Sequence, residues 1–466
     1  MPKNKKRIHF VGIKGVGMTA LAIYAKERGY LVSGSDVAEE FLTDKMLNKF
    51  SIPFKIGFER KDLKTKPDLV IVTGAHGGMT NREAMDFSQE GIEVITHGQA
   101  LGRFVNEKKG ISVSGVGGKT TTSAMIACVL MHNKIDPSYA VGVADIFPLG
   151  QPGHYGKGEY FVAEADEYAS CPHTDPTPRF LYQKPRIIVI TNIEYDHPDI
   201  YPSLLDTLAA FGSFVNNMHE DGLLVINGDN PHNRTLLKSI SKKTQTYGFS
   251  PNLSYQIEKV KFREGKTTFS LRQKNLSLGE YQLNVPGKFN ILNATAAIVV
   301  GLQVGLTTSQ VKEGLQQFLG TKRRFELIGE KGKVKVYDDY AHHPSEIKMT
   351  LMAAKEWFPK HKIFCLFQPH TYSRTKSLLP DFARSFGFAD EVMILPIFPS
   401  AREEVDPEIN SSILASKINL FHPRVTFEGR EEKILERIKN TKDDTIVITM
   451  GAGDIYEIGP KILRSI

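Results

Sequence analysis

The feature that most restricts the fold of this chain is a recurrent one. Short apolar runs, each stopped by glycine, small or acidic residues, alternate with helix-forming stretches. RIHFVGI, YLVSGSD, DLVIVTGA and EVITHG occur early in the chain, a second series runs from ISVSG through YFVAEAD, RIIVITNI and GLLVING, and a third from VKVYDDY through KIFCLFQ, EVMILPIF and TIVITMGAG. Buried strands alternating with helices predict an α/β fold with mostly parallel sheets. A polar, alternating stretch near residues 254–285 predicts antiparallel strands added after the second series. At 466 residues the chain is longer than one core usually organises, so three domains are expected. The charged stretches NEKKG and TKRRFE supply the joints, near residues 107 and 322, giving 1–106, 107–321 and 322–466.

Charge narrows the partners. The 59 Lys and Arg exceed the 52 Asp and Glu by a formal +7, spread along the chain rather than blocked. That suits phosphorylated small molecules better than nucleic acid, for which no module signature is present. Cys128, Cys171 and Cys365 are too few and too scattered for a disulfide framework or a structural zinc site, which predicts a reducing cytoplasm. The beginning, MPKNKKR followed by IHFVGIKGVGMTALAIYA, has the outline of a secretory leader. Its apolar part is broken by His9 and Lys14 and is rich in glycine, so a strand, a turn and a helix are expected instead. With no apolar run of about 18 residues, no membrane insertion is expected.

The second series opens with ISVSGVGGKTTTSAM, an apolar strand, glycines, a lysine, three threonines and then helix formers. Such a strand-to-helix turn presents backbone N–H groups and the positive end of a helix dipole to an anion. Lys119 adds a mobile charge for the β and γ phosphates, and a threonine hydroxyl can join a magnesium shell. The spacing Gly115-x-x-Gly118-Lys119-Thr120 is shorter than the common G-x-x-x-x-G-K-[ST] loop, yet it predicts a nucleoside triphosphate site. Hard oxygen ligands for magnesium should lie at neighbouring strand ends. YFVAEADE supplies Glu164, Asp166 and Glu167; RIIVITNIEYDH supplies Asn192, Glu194, Asp196 and His197.

Two other constellations stand out. GVGMTA at residues 15–20, with Asp36 closing the next strand, fits a dinucleotide turn and equally a nucleotide-sugar diphosphate site. A nicotinamide dehydrogenase would leave the phosphate apparatus at 115–122 without a purpose. In the third series, DDYAHHP places Asp338, Asp339, His342 and His343 after a strand, and FQPHTYSRT places His370 and Arg374 four apart, on one face if a helix starts there. Arg374 could clamp a carboxylate. A zinc site at His342 and His343 is disfavoured because adjacent residues point apart and no H-E-x-x-H pattern occurs.

Taken in order, HFVGIKGVGM, SGSD, GVGGKTTT, AEADE, TNIEYDH, GKFNILNA, RRFE, DDYAHHPSEI, FQPHTYSRT and MGAGDI resemble the Mur ligases, ATP-dependent amino-acid ligases of bacterial cell-wall precursors. The likeness covers nearly the whole chain. It implies a Rossmann-like N-terminal domain, a central P-loop ATPase-type α/β domain with added antiparallel strands and a Rossmann-like C-terminal domain. Among members it is most similar to the one joining L-alanine to UDP-N-acetylmuramate, with a recycling member that attaches the tripeptide L-alanyl-γ-D-glutamyl-meso-diaminopimelate as the second reading. A non-catalytic nucleotide-binding protein is a third.

The resemblance implies ATP binding by Gly115, Val116, Gly117, Gly118, Lys119, Thr120, Thr121, Asn290, Asn293, Arg324 and Asp339. It implies Mg2+ at Thr120, Glu164 and His197, and the UDP-sugar at Gly12, Gly15, Val16, Gly17, Asp36, Thr73 and Asn192. The amino acid falls to His343, His370 and Arg374, and catalysis to Lys119, Glu164, His197, Asp339, His342 and His343. Five departures mark this chain: Val116 and Gly117 for threonine and histidine, Lys14 for glycine, Phe289 for histidine, and Thr371 for a second arginine. A monomer or homodimer is expected, closing around a water-sensitive acyl phosphate.

Overall fold

The computed structural model describes residues 5–60, 66–172, 174–197, 199–263, 265–399, 405–441 and 443–466. They form two compact units. One comprises Met1–Lys259, Phe269–Gln282 and Ile291–Leu319, the other Val260–Thr268, Leu283–Asn290 and Gly320–Ile466.

The first unit holds one whole sheet and most of the strands of a second. In one, the strands Phe54–Ile56, Leu31–Asp36, Arg7–Val11, Leu69–Val72 and Val94–Thr96 lie side by side in that order, all parallel. The chain starts in the middle and winds outward both ways, so a crevice opens between the carboxyl ends of Arg7–Val11 and Leu69–Val72, where such sheets bind ligands. The helix Val16–Glu27 leaves the first of these strands, and Met18 through Ala25 are all buried. A helix apolar on every side needs cover on every side. One flank lies on its own sheet, and the other shares a core with Ala140, Phe161 and Ala163 of the second sheet. The Tyr24 ring stands 5.0 Å from both Phe104 and Phe161.

The second sheet has the order Leu276–Leu283, Lys266–Gln273, Tyr255–Arg263, Thr244–Gly248, Leu223–Asn227, Ile187–Ile190, Lys109–Ser114, Tyr160–Glu164, Ser138–Ala140 and Gly153–His154. Its centre matters for function. Lys109–Ser114 runs parallel to Tyr160–Glu164 on one side and Ile187–Ile190 on the other. The segments that follow these three strands therefore emerge at one edge. The helix Lys119–His132 starts there.

The other unit is built on the strands Glu326–Lys331, Val334–Asp339, Thr445–Met450, Lys362–Phe367, Glu391–Ile394 and Val425–Phe427, parallel except for the first. Alternate residues of Lys362–Phe367 enter two cores: Ile363, Cys365 and Phe367 one, Phe364 and Leu366 the other. Period-two alternation with both faces apolar marks a sheet covered on both sides. Among the described residues no helix is long and apolar enough to cross a membrane.

Candidate active site

The phosphate loop is shaped by backbone geometry that only glycine adopts cheaply. Gly115 has φ +129° and Gly118 φ +86°. A Cβ at 118 would stand 2.5 Å from Asn293 Oδ1, and one at 115 would run into Thr191. The loop is laced to the neighbouring strand end. Asn192 Oδ1 accepts from Gly117 N–H at 2.9 Å, Asn192 Nδ2 donates to the Gly117 carbonyl at 2.9 Å, and Thr191 Oγ1 donates to that carbonyl at 2.6 Å. Val116 N–H reaches the Asn192 carbonyl at 3.2 Å. None of these bonds uses the side chain of residue 116 or 117, so the cradle is held by TN of TNIEYDH despite the Val116-Gly117 departure. Asn192, grouped by sequence with the UDP-sugar residues, lies on the phosphate loop.

Lys119 is not an idle cation. Its Nζ lies 2.9 Å from both carboxylate oxygens of Glu167 and 3.9 Å from Asp166. Burial works against its charge, but Glu167 and Asp166 outweigh it and hold the ammonium above the usual lysine range. Burial pushes Glu167 up, only partly opposed by Lys119. Asp166 goes the other way. Burial opposes its charge, but Arg179, whose Nη1 donates to it at 2.8 Å, and Lys119 pull it below the usual range. Glu164 accepts from Gly142 N–H at 2.7 Å and lies near the Thr120 hydroxyl, and desolvation raises its carboxyl. Thr121 follows, half-buried, in the same helix. His197, in the left-handed region at φ 57°, packs its ring 4.6 Å from Tyr168 and pairs with Asp196. No hydrogen bond or ion pair joins it to Glu164.

At the first glycine loop, Gly12 has φ +80° and Thr73 fills the space a Cβ would need. Gly15 caps the helix Val16–Glu27, and Val16 is 44% exposed at its start. Asp36 is buried and committed to the turn: Oδ2 accepts from Lys14 N–H at 2.6 Å and Oδ1 from Val37 N–H at 2.8 Å. Lys14 turns its side chain the other way. Its Nζ donates to the carbonyls of Val37 at 3.0 Å and Glu39 at 2.7 Å and pairs with Asp44 at 3.3 Å, fastening the segment after Asp36. Gly17 faces His97, whose Nε2 would be 3.1 Å from a Cβ there. Burial, then the Arg179 charge, push His97 down to about 4, so it stays neutral.

The other unit gathers a second cluster. Asp339 accepts from Ala341 N–H at 2.9 Å and Phe325 N–H at 2.8 Å, and burial, opposed by Arg324, raises it to about 6. Arg324 sits over the Tyr340 ring at 5.4 Å. Its neighbour Arg323, which sequence did not single out, ties RRFE to MGAGD through Asp338 and the carbonyls of Gly451 and Gly453. His342 Nδ1 stands 3.0 Å from the Tyr340 carbonyl, and burial keeps the imidazole below its usual range. His343 instead caps the exposed start of the helix Pro344–Trp357. His370 precedes the helix Tyr372–Ser377 rather than lying in it, yet its Nδ1 is 3.3 Å from Arg374 Nη1. Thr371, at φ 69°, caps that helix. Asn293 abuts Gly118, whereas Asn290 donates to the Pro286 carbonyl at 2.8 Å.

Among the described residues no group of three or more His, Cys, Asp or Glu side chains is gathered as a metal cage. The Thr120 hydroxyl and the half-buried Glu164 carboxylate, neighbours beside the phosphate loop, fit the oxygen chemistry of magnesium. That ion commonly takes one or two protein oxygens and completes its shell with phosphate and water.

Comparison with known proteins agrees with this layout. Residues 7–109 match the profile described as Mur ligase family, catalytic domain, residues 113–301 the Mur ligase middle domain, and residues 323–453 the Mur ligase, glutamate ligase domain. The chain is 39% identical over 459 residues to a UDP-N-acetylmuramate--L-alanine ligase of Desulfitobacterium hafniense (strain Y51), covering 98% of this chain and 99% of the relative. It superposes on a UDP-N-acetylmuramate-alanine ligase from Thermotoga maritima with a TM-score of 0.82 at 27% identity, covering 98% of each chain. A murein peptide ligase from Psychrobacter arcticus 273-4 shares the fold, with a TM-score of 0.71 at 23% identity over 99% of this chain and 98% of that one. Profiles along almost its entire length, and full-length relatives above the threshold of chance, make this chain a member of the Mur ligase family.

Proposed function

We propose that the chain is an ATP-dependent ligase that joins the lactyl carboxylate of UDP-N-acetylmuramate to the amine of L-alanine, in peptidoglycan precursor synthesis. The observation that carries this reading is the anion cradle Gly115–Thr120 with Lys119, Thr120 and Glu164 on one sheet edge, in a chain that aligns end to end with ligases of that name. A carboxylate is a poor acylating agent because oxide would have to leave. One carboxylate oxygen attacks the γ-phosphorus of ATP, the bond to the bridging oxygen breaks, and ADP departs with the electron pair. The acyl phosphate then has a good leaving group. The amine nitrogen attacks the acyl carbon and inorganic phosphate leaves with its bonding pair, giving the amide.

In this reading Lys119 exchanges Glu167 for the β and γ phosphates and neutralises charge during transfer. Thr120, Glu164 and, from the loop after the strand Ile187–Ile190, His197 would hold Mg2+. When bound, that ion screens the phosphoryl oxygens. Asn293 lines the loop, and Asn290, Arg324 and Asp339 serve the nucleotide. Gly12, Gly15, Val16, Gly17, Asp36 and Thr73 form the uridine-diphosphate end, where the helix Val16–Glu27 offers its N-terminus to an anion. His342 is the proton acceptor for the attacking amine. A carbonyl can only accept, so Nδ1 carries the hydrogen shared with Tyr340 and Nε2 keeps its lone pair. His370 and Arg374 receive the amino-acid carboxylate. The three free, buried cysteines suit a reducing cytoplasm.

The test is phosphate release from ATP with UDP-N-acetylmuramate, comparing L-alanine, glycine, L-serine and the tripeptide. Release dependent on both sugar nucleotide and L-alanine supports the reading. Preference for the tripeptide makes the chain a recycling ligase, and ATP binding without turnover makes it a non-catalytic nucleotide-binding protein.

A further inference from the structure

Arg179 belongs to none of the groups assigned above, yet it stands where they adjoin. It opens the short helical turn Arg179–Tyr182, and its backbone is fixed on both sides: Arg179 N–H donates to the Tyr168 carbonyl and Phe180 N–H to the Asp166 carbonyl, each at 3.0 Å. Nη1 donates to Asp166 Oδ2 at 2.8 Å, and the other oxygen of that carboxylate lies 3.9 Å from Lys119 Nζ. The guanidinium and the phosphate-loop lysine thus share one carboxylate. On its far side, Nη2 lies 3.5 Å from where Gly74 would carry a Cβ, and Cγ 3.3 Å from the equivalent point on Gly98. Gly74 follows Thr73 on the crevice edge of the first sheet, and Gly98 follows His97, which faces Gly17. A Cβ at either place would first meet Ser170, 2.8 Å away, so glycine lets the Ser170 and Arg179 segments approach this closely. Nε is buried and has no hydrogen-bond partner. Nε is covered by the protein, whereas the side chain as a whole is 27% exposed, so part of it is open to a ligand acceptor.

The sugar nucleotide, if its diphosphate sits at Gly15–Gly17, passes His97 on its way to the phosphate loop. His97 is neutral there, and among the described residues Asp166 is the carboxylate hydrogen-bonded to the guanidinium. The group that must reach Lys119 is the substrate carboxylate that takes the γ-phosphoryl. We infer that Arg179 is a positioning and specificity residue whose partly exposed side chain holds the lactyl carboxylate of the sugar nucleotide. One oxygen is gripped and the second is left free to attack phosphorus. This rests on the ligase reading.

The experiment is calorimetric binding of UDP, UDP-N-acetylglucosamine and UDP-N-acetylmuramate to the full chain and to Arg179→Met and Arg179→Lys, with ATP binding as a folding control. UDP-N-acetylglucosamine lacks the lactyl group. The native chain should prefer UDP-N-acetylmuramate over it by about 10- to 100-fold. Arg179→Met should erase that preference while leaving UDP and ATP binding intact, Arg179→Lys should restore part of it, and KM for the muramate should rise more than kcat falls. Retained preference in Arg179→Met, or equal weakening of all three ligands, would overturn the assignment. A native chain that binds no uridine nucleotide would instead remove the ligase reading itself.

Discussion

Replacing Lys119 with methionine tests the electrostatics of the phosphate loop independently of catalysis. Methionine keeps most of the side-chain length and removes the charge. Glu167, 1% exposed, then loses the ammonium 2.9 Å from both its oxygens and is left beside Asp166. Breaking a buried ion pair by removing one partner costs about 3–5 kcal/mol. The cost has a ceiling, because Glu167 can take up a proton instead. From its ordinary value of 4.5, protonation at pH 8 costs about 1.4 kcal/mol for each of roughly 3.5 units, near 5 kcal/mol in all. At pH 5.5 the same ceiling is only about 1.4 kcal/mol. The sign follows from proton binding. A carboxyl whose folded value is raised binds more protons folded than unfolded, so stability is greatest below 4.5 and falls as pH rises through the folded value. Lys119→Met should therefore lose about 3–5 kcal/mol at pH 8 and about 1–1.4 at pH 5.5. Glu167→Gln in the same chain should recover more than half of the loss at pH 8. Hydrogen exchange of Lys109–Ser114 and Tyr160–Glu164, measured on the four proteins of the double-mutant cycle, reads the local stability. A loss independent of pH, or one that Glu167→Gln deepens, would refute the reasoning.

Other perturbations reach different parts of the molecule. Gly118→Ala sets a Cβ 2.5 Å from Asn293 Oδ1 at φ +86°, and should weaken ATP binding at least 10-fold while UDP binding is unchanged, both by calorimetry. Asp339→Asn removes a carboxyl raised to about 6 from 3.8. Relative to the native chain it should gain up to about 3 kcal/mol between pH 4 and pH 7, because the native carboxyl loses stability as pH rises through 6, and urea unfolding followed at Trp357 measures it. Lys14→Met frees the Val37 and Glu39 carbonyls and the Asp44 carboxylate, so limited proteolysis should cut within residues 37–43 at least several-fold faster than in the native chain.

The strands and loops of this fold announce themselves because the same local pattern writes both: an apolar run buries, and the polar residues that stop it stand at a sheet edge. Lys119, Glu164, Asp339 and His342 were all legible that way. What their side chains do was not. That Lys119 is held by Glu167, that Asp36 spends its oxygens on the backbone, or that Asn192 braces Gly117, depends on which strand ends become neighbours. Arg179 was invisible because its surroundings, Asp166, Gly74 and Gly98, come from three distant segments and no spacing records them. Helix boundaries misled in one place: His370 and Arg374 meet although only Arg374 is helical. The packing of Tyr24 against Phe161, residues on either side of position 107, is a contact that composition does not record.

In the proposed function, the helix Val16–Glu27 would work as a spacer gauge between the two substrate ends. Its N-terminus is the berth proposed for the diphosphate, and its flank is pressed against Phe161 and Ala163, on the strand that ends in Glu164. The span from one substrate's phosphates to the carboxylate beside the other's would then be metered by the volume of these packed side chains. A methylene trimmed from Phe161 or Tyr24 would shift that span, and with it the reaction, while every ligand-touching group stayed as it was.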